Sequence, residues 1–377
     1  MNEMVLPRQT APKSQAAAPA PHFSQQSTRI TLAEVGLLQA TERGLDPWLP
    51  WVCARQMRIA GTRTAADFDS RYNFEETIGE GTFSIVRGVR RVADGRLLAA
   101  KTMRSNVRAG DVFQEVTLLN MLQHPNIVQL IDVYACNQHN ASPVFHLVFE
   151  HAGIHLHSYI IEHDISTSVV QQMPAQMCSG LARLHLYDVV HNDLKPASVF
   201  VELATLHIRI GDLGAAFMDR AGAGYSPPAG TRIYAAPEAL LGCLHYGVAA
   251  DMWSLGCILG EMVLKKPLFF GQSDEMVINS IFQQLGRPTK GDGLDTMRRL
   301  PKWTPHFADS EAQPWPTHMT ALLGHYGCQL LGNMATFCST LHRAGRSRSA
   351  CECIFFFSSH PNSPCRSSVI EFTFQES

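Results

Sequence analysis

The sequence predicts an α+β chain of two lobes, in which a small antiparallel sheet with one main helix precedes a larger, mostly helical lobe. Three observations predict this. Between Ile78 and Val89, β-branched residues flank a glycine pair, which is typical of a hairpin with a flexible tip. A polar turn at residues 93–95 then introduces an apolar strand over 97–101. Apolar residues at helical spacing follow over 113–122, and helical periodicity dominates the later part of the chain.

The remaining elements follow from the same patterns. We expect strands over 127–134 and 144–149, and helices over 156–161, 169–186, 252–264 and 276–285. A boundary between the lobes is expected near Ala152 and Gly153. The predicted domains are a divergent, partly disordered N-terminal extension (1–70), a small lobe (71–152), a large lobe (153–350) and a divergent tail (351–377).

Composition excludes several classes of function. The 377 residues hold 31 Lys+Arg against 33 Asp+Glu, a formal net charge of −2, so the basic surface of most duplex-binding proteins is absent and we expect no nucleic-acid partner. Even the apolar stretch over 249–264 contains two acidic residues, Asp251 and Glu261, so no membrane partner is expected. Ten cysteines without Cys-x-x-Cys spacing are typical of reduced thiols, which favours the cytoplasm, the nucleus or both.

The glycine pair has two interpretations when taken alone. Gly79-x-Gly81-x-x-Ser84 is either a structural turn or a loop whose backbone amides approach the phosphates of a nucleotide. Lys101 at the end of a strand and Glu115 on a helix are each usually solvated charges. Together they favour the second interpretation, because Lys101 can hold phosphate oxygens while Glu115 pairs with its ammonium group and directs it.

Three further motifs follow in order. They are H-N-D-L-K-P-A-S over 191–198, G-D-L-G over 211–214 and A-P-E over 236–238. With them the sequence resembles the eukaryotic protein kinases over about 72–334, matching the family's H-R-D-L-K-P-x-N, D-F-G and A-P-E motifs. The resemblance implies the bilobal protein kinase fold, with ATP and Mg²⁺ as cofactors.

The resemblance also implies a role for each residue of the motifs. Asp193 would orient the substrate hydroxyl and accept its proton, Lys195 would steady the γ-phosphate, and Thr231 would bridge the two. Asp212 would hold Mg²⁺. Ser198 stands where the family has a second metal ligand, an asparagine. Asp251 matches a buried aspartate that ties down the backbone of the catalytic loop.

The nucleotide site that the resemblance implies spans both lobes. Backbone groups after Phe149 would meet the adenine, and His155 takes the place of a ribose-binding acid, where an exposed histidine without that role is the alternative. The implied ATP-binding residues are Ile78, Gly79, Glu80, Gly81, Thr82, Phe83, Ser84, Val86, Ala99, Lys101, Phe149, Glu150, Ala152 and Asp212.

Two features indicate the branch of the family. Lys195-Pro196 is the serine/threonine form of the catalytic loop, and residues 266–289 look like the cyclin-dependent and MAP-kinase (CMGC) branch. The implied partners are a protein substrate and a cyclin-like activator or scaffold, although the helix around Glu115 lacks a recognisable cyclin-binding sequence. Ala235 replaces the arginine that this branch usually has before A-P-E, which puts proline-directed specificity in question.

Departures from the pattern leave two functions open. Asn192 replaces the loop arginine that pairs with an activation-loop phosphate, and Ser198 is a weaker metal ligand than asparagine. Either Arg343 or Arg346 is a candidate partner for Glu238. The main prediction is an ATP-dependent serine/threonine protein kinase, with activity impaired by Ser198. The alternative is a catalytically weak pseudokinase that acts as a nucleotide-binding scaffold or interaction module.

Overall fold

The structure is a computed structural model that describes residues 65–136, 144–219, 230–244, 246–288, 294–307 and 309–323. The predicted disordered arm, the divergent tail, and Arg343 and Arg346 as partners of Glu238 lie outside these ranges. Among the helices within them, none is both long enough and apolar enough to cross a bilayer.

The small lobe is a five-stranded antiparallel sheet in the order β1-β2-β3-β5-β4. Its strands are β1 (Tyr72–Glu80), β2 (Ser84–Arg91), β3 (Leu97–Met103), β4 (Leu130–Cys136) and β5 (Val144–Glu150). Burial alternates along β3 and β4, as expected for strands with two differently covered faces. With the helical lobe that follows, this sheet confirms the predicted fold class.

Two helices cover opposite faces of this sheet. Helix α1 (Ala65–Arg71) places Phe68 in an apolar cluster with Leu98, Ala100 and Val148 on one face. Helix α2 (Ala109–Met121) places its buried valines against Phe145 and Leu147 on the other face, in the cluster Met103, Val112, Val116, Phe145 and Leu147. No element was predicted from the sequence at the position of α1. Its buried Phe68 extends the small-lobe core three residues beyond the boundary expected at residue 71.

One predicted strand begins later than expected. The pattern over 127–134 predicted a strand from Ile127, whereas β4 begins at Leu130. Ile127 is buried, but it forms a parallel bridge to Ile210 in the large lobe instead of joining the sheet. A run of apolar residues indicates that a segment is buried, but not which strand it pairs with. The prediction that Ile127 belongs to the β4 strand was therefore wrong.

The large lobe is mostly helical, with short strands near the cleft. Its elements are β6 (Ile154–His155), α3 (Leu156–Glu162), α4 (Thr167–His185), β7 (Val189–Val190), β8 (Val199–Glu202), β9 (His207–Ile210), β10 (Phe217–Met218), α5 (Pro237–Leu240), α6 (Ala249–Leu264), α7 (Asp274–Leu285) and α8 (Leu294–Met297). Single 3₁₀ turns span Pro196–Ser198, Leu213–Ala215 and Arg232–Tyr234. Nearly all of α6 is buried, which makes it the centre of the lobe.

Candidate active site

The glycine loop joins β1 to β2 over the cleft between the lobes. Gly81 N–H donates to Ser84 O at 2.9 Å and closes the tip, where Phe83 is exposed. Ile78 and Thr82 are likewise exposed, while the Ser84 side chain is buried. The tip is therefore a closed turn with largely exposed side chains, and its binding of phosphates stays a prediction.

Strand register lines up the face of the sheet that meets α2. Gly79 pairs with Val86, Val86 pairs with Lys101, and Ala99 pairs with Phe149. Because directly opposed residues of antiparallel strands share a face, these side chains lie on the same side of the sheet as the lysine. This face forms the upper wall of the cleft.

Three charged residues from three distant elements meet at this wall, and we call them the small-lobe cluster: Lys101, Glu115 and Asp212. Lys101 Nζ donates to Glu115 Oε1 at 2.7 Å and to Asp212 Oδ1 at 3.0 Å. Burial alone would lower the pKa of Lys101, but the two carboxylates reverse this effect and raise it above its ordinary value. The Lys101 ammonium in turn holds the pKa of Asp212 below its usual range. Lys101 and Asp212 are therefore both charged at neutral pH.

The segment that carries Asp212 is fixed by a close approach at the preceding glycine. A Cβ at Gly211 would lie 2.8 Å from the Phe200 ring and 2.9 Å from the Val128 side chain, so only glycine fits. His191 Nε2 lies 3.0 Å from Gly211 O and links this segment to the catalytic loop. Asp212 itself has a left-handed backbone, with φ of 59°.

A second group of charged and polar side chains lies on the large lobe, and we call it the catalytic-loop cluster: Asp193, Lys195 and Thr231. Lys195 Nζ donates to Asp193 Oδ2 at 2.5 Å and to Thr231 Oγ1 at 3.1 Å. Thr231 N–H donates to Asp193 Oδ1 at 2.9 Å. Thr231 therefore bridges the aspartate and the lysine in the way that the resemblance implied.

The backbone of the catalytic loop is held by a buried carboxylate. Asp251, at the start of α6, is 1% exposed and accepts N–H bonds from His191 at 2.9 Å and from Asn192 at 3.0 Å. His185 Nε2 lies 2.9 Å from the same carboxylate. This arrangement fixes the position of Asp193, one residue further along the loop.

Asn192 replaces the family's arginine with a neutral side chain that has defined partners. Its backbone is left-handed, with φ of 67°, a conformation that asparagine tolerates better than most residues. Asn192 Nδ2 donates to Ala215 O at 3.2 Å, and its Oδ1 accepts from Tyr246 Oη at 2.9 Å. The substitution therefore removes a charge but leaves no polar atom of this amide without a partner.

Ser198 does not fit the metal-binding role that its position implied. Its side chain is 1% exposed, and Oγ accepts from Lys195 N–H at 3.0 Å and donates to Lys195 O at 2.9 Å. These bonds turn the hydroxyl towards its own loop. Within the described ranges, no group of three or more His, Cys, Asp or Glu side chains is placed to hold a metal ion. Asp212, with about half of its side chain exposed, fits as a Mg²⁺ ligand.

The segment after β5 links the lobes at the back of the cleft. Glu150 N–H donates to Gln129 O at 3.1 Å, and its carboxylate accepts from Gln129 N–H at 2.9 Å. The N–H and the carboxylate of Glu150 are therefore both bonded to Gln129. Ala152, two residues further along the chain, is buried. The His155 ring lies 4.7 Å from the Phe200 ring, and burial lowers the pKa of this histidine.

Two residues that contact the candidate active site were not predicted from the sequence. Arg104 Nη2 donates to Glu80 Oε1 at 2.6 Å and its Nε to Gly81 O at 3.1 Å, so it tethers the glycine loop. Gln114 Nε2 donates to Ala216 O at 2.6 Å, four residues after Asp212. Each missed residue lies within three positions of a predicted one, and this proximity is the signal that could have found it.

Comparison with known proteins also identifies similarity to protein kinases. The family model of the protein kinase domain matches residues 72–323. Cyclin-dependent kinase B2-1 of Arabidopsis thaliana is 32% identical over 255 residues, covering 62% of this chain and 80% of that protein. Cell division control protein 2 homolog D of Antirrhinum majus is 35% identical over 251 residues, covering 61% of this chain and 78% of that protein.

Proposed function

Because the chain belongs to the protein kinase family, in its cyclin-dependent-kinase-like branch, we propose that it is an active ATP-dependent serine/threonine kinase of protein substrates. The observation that carries this proposal is the hydrogen bond from the Lys101 ammonium to Glu115. The same ammonium also donates to Asp212. Phosphoryl transfer needs a fixed cation beside the nucleotide phosphates, and this pair provides one.

The catalytic-loop cluster performs the chemistry on the substrate side. Asp193 accepts the proton of the substrate hydroxyl while that oxygen forms a bond to the γ-phosphorus and the bond to the leaving ADP oxygen breaks. Lys195, 2.5 Å from Asp193, places a positive charge where the transferred phosphoryl group develops negative charge. Thr231 holds both side chains in register.

Asp212 is the residue that would hold Mg²⁺, which neutralises phosphate charge when bound. Its lowered pKa keeps the carboxylate ionised and ready to bind a cation. Ser198 supports no second ion, since its hydroxyl bonds to the Lys195 backbone. We therefore propose that the kinase turns over more slowly than it would with the family's asparagine at position 198, because Asp212 is the carboxylate that would hold Mg²⁺.

The second candidate function is a nucleotide-binding scaffold with little catalysis. The inward-turned hydroxyl of Ser198 is the observation that favours it. Under this alternative, Lys101 and Asp212 still bind Mg-ATP, but phosphoryl transfer to a protein is absent. Nucleotide binding alone therefore does not distinguish the two candidates, whereas transfer does.

The proposed partners follow from the branch of the family. They are a protein substrate and a cyclin-like activator or scaffold, in the cytoplasm, the nucleus or both. The serine/threonine form of the catalytic loop, with Lys195 bonded to Thr231, supports hydroxyl groups of serine and threonine as acceptors.

A γ-phosphate transfer assay on generic protein substrates tests the proposal. The purified chain should transfer phosphate, and Asp193→Asn should reduce the rate by at least about 100-fold through loss of the general base. Asp295→Asn, at an exposed position on α8, is the matched control and should leave the rate unchanged. Binding of Mg-ATP without transfer by the unaltered chain would favour the scaffold.

A further inference from the structure

Two neutral amides join the three elements that carry the main charged residues. Gln114 directly precedes Glu115 on α2, and Asn192 directly precedes Asp193 on the catalytic loop. Both donate to consecutive carbonyl groups of the segment that begins at Asp212: Gln114 Nε2 to Ala216 O at 2.6 Å, and Asn192 Nδ2 to Ala215 O at 3.2 Å.

This segment is seated against α2 at both of its ends. Leu213 is 1% exposed and packs in an apolar cluster with Leu118 and Leu119 of the helix. Ala216, also 1% exposed, receives the bond from Gln114. A buried carbonyl without a donor costs free energy, so the Gln114 bond favours the helix position that also brings Glu115 to Lys101.

Asn192 has a similarly constrained position. Its backbone N–H is held by Asp251 at 3.0 Å, and its side-chain oxygen accepts from Tyr246 Oη at 2.9 Å. The contacts with Asp251 and Tyr246 therefore fix the orientation of the Asn192 side chain that donates to Ala215 O. The resemblance to the family implies an arginine at this place that pairs with a phosphate, whereas the Asn192 amide carries no charge for a phosphate to pair with.

We propose that Gln114 and Asn192 are positioning residues that hold the Asp212 segment against α2 and the catalytic loop, so that the cleft is aligned without any phosphate on the chain. The proposal rests on the proposed kinase function for its rate readouts. It adds to that function a mode of regulation in which phosphorylation is not the switch.

The first experiment compares the full-length chain before and after phosphatase treatment, with intact mass confirming that no phosphate remains. We expect the transfer rate of the phosphate-free protein to stay within about twofold of the untreated rate, because the bonds from Gln114 and Asn192 to the Asp212 segment involve no phosphate. A loss of tenfold or more on dephosphorylation would overturn the proposal.

The second experiment removes and restores the donor at position 114. Gln114→Leu should lower kcat about tenfold or more while KM for ATP changes less than about threefold, because misalignment acts in the transition state. Gln114→Arg keeps a donor and should recover most of the rate. Asn120→Leu removes an amide near the other end of the same helix and is the matched control. Wild-type kcat in Gln114→Leu would contradict the proposal.

A third measurement does not depend on activity. Hydrogen exchange of peptides covering 213–219 should be faster in Gln114→Leu and in Asn192→Leu than in the unaltered chain, and unchanged in Asn120→Leu. Equal exchange in all four proteins would overturn the proposal even for an active kinase. Faster exchange in a chain that transfers no phosphate would support the positioning role while the proposed function fails.

Discussion

The two charged clusters of the cleft are held in place by different physical means. The small-lobe cluster joins three distant elements by ion pairs, and Glu115 is 2% exposed, so each charge depends on the others. The lysine and the aspartate of the catalytic-loop cluster are both more exposed than Lys101 and Glu115, with 24% of the Lys195 side chain and 17% of the Asp193 side chain accessible. Its geometry depends mainly on the loop backbone, which Asp251 holds from below.

This difference explains where the chain departs from its family. Asn192 and Ser198 both lie in the catalytic loop, and each has formed neutral hydrogen bonds within the fold. A buried ion pair offers no such freedom, because removing one partner leaves an uncompensated charge. The loop can change its side chains while keeping its shape, whereas the small-lobe cluster has to be kept whole.

The largest effect is expected on breaking the small-lobe cluster. Lys101→Met should abolish the rise in melting temperature that Mg-ATP gives to the unaltered chain, and should lower transfer at least about 100-fold. Glu115 is then buried without a partner, which costs about 3–5 kcal/mol of stability.

The double variant Lys101→Met with Glu115→Leu separates the two effects. It should regain much of the stability, because no buried charge is left unpaired, yet still show no shift with Mg-ATP. Differential scanning fluorimetry measures both quantities. An undiminished Mg-ATP shift in Lys101→Met would place the nucleotide elsewhere.

The next largest effect is expected at the anchor of the catalytic loop. Asp251→Ala leaves the backbone N–H groups of His191 and Asn192 buried without an acceptor, at a cost of about 3 kcal/mol or more. Asp274→Ala is the matched control, because Asp274 also accepts from two residues, Arg232 and Lys302, but in exposed ion pairs.

Urea denaturation provides the measurement for this pair. The control should lose less than about 1 kcal/mol of unfolding free energy, since exposed pairs contribute little. Equal losses in the two variants would show that the catalytic loop does not depend on its buried carboxylate for its geometry.

Ser198→Asn should restore the family's type of metal ligand to the catalytic loop. We expect kcat to rise about tenfold, equivalent to about 1.4 kcal/mol of transition-state stabilisation, with little change in affinity for ATP. The amide oxygen offers a ligand for a second Mg²⁺ that the serine hydroxyl does not. Ser198→Ala serves as the control, since it removes the hydroxyl without adding a ligand.

Titration of Mg²⁺ and Mn²⁺ against the transfer rate distinguishes these variants. A steeper response to metal in Ser198→Asn alone would support the restored site. An unchanged rate and metal dependence, in a chain that is already fast, would show that the substitution has no effect on turnover.

The features that could be predicted from the sequence are those that short motifs and periodic patterns indicate. The order of the five small-lobe strands and of the longer helices followed from alternation and helical spacing, whereas the short strands of the large lobe were not predicted. The motif residues of both clusters lie in short, recognisable runs. Helix α1 was missed because seven residues with one buried side chain, Phe68, show no period. The Gln114 bond was missed because its acceptor, Ala216, is 102 positions away along the chain. The hydrogen-bond partners of the Ser198 hydroxyl depend on the rotamer of that side chain, and a rotamer cannot be predicted from a sequence motif.

The smallest effect is expected at the glycine loop, where the ion pair that tethers the loop is exposed to solvent. Arg104 donates to Glu80 Oε1 at 2.6 Å, with 38% and 63% of the two side chains exposed, so the pair contributes about 0.2–1 kcal/mol. Arg104→Ala should therefore raise KM for ATP between about 1.5-fold and fivefold and leave kcat unchanged. Because exposed charges are screened, added salt should narrow the difference between variant and wild type. Arg90→Ala, which breaks an exposed pair with Glu75 away from the loop, is the matched control. If Arg104→Ala lowered kcat as strongly as Lys101→Met, the glycine loop would belong with the small-lobe cluster, and exposure would not be what separates replaceable charges from indispensable ones.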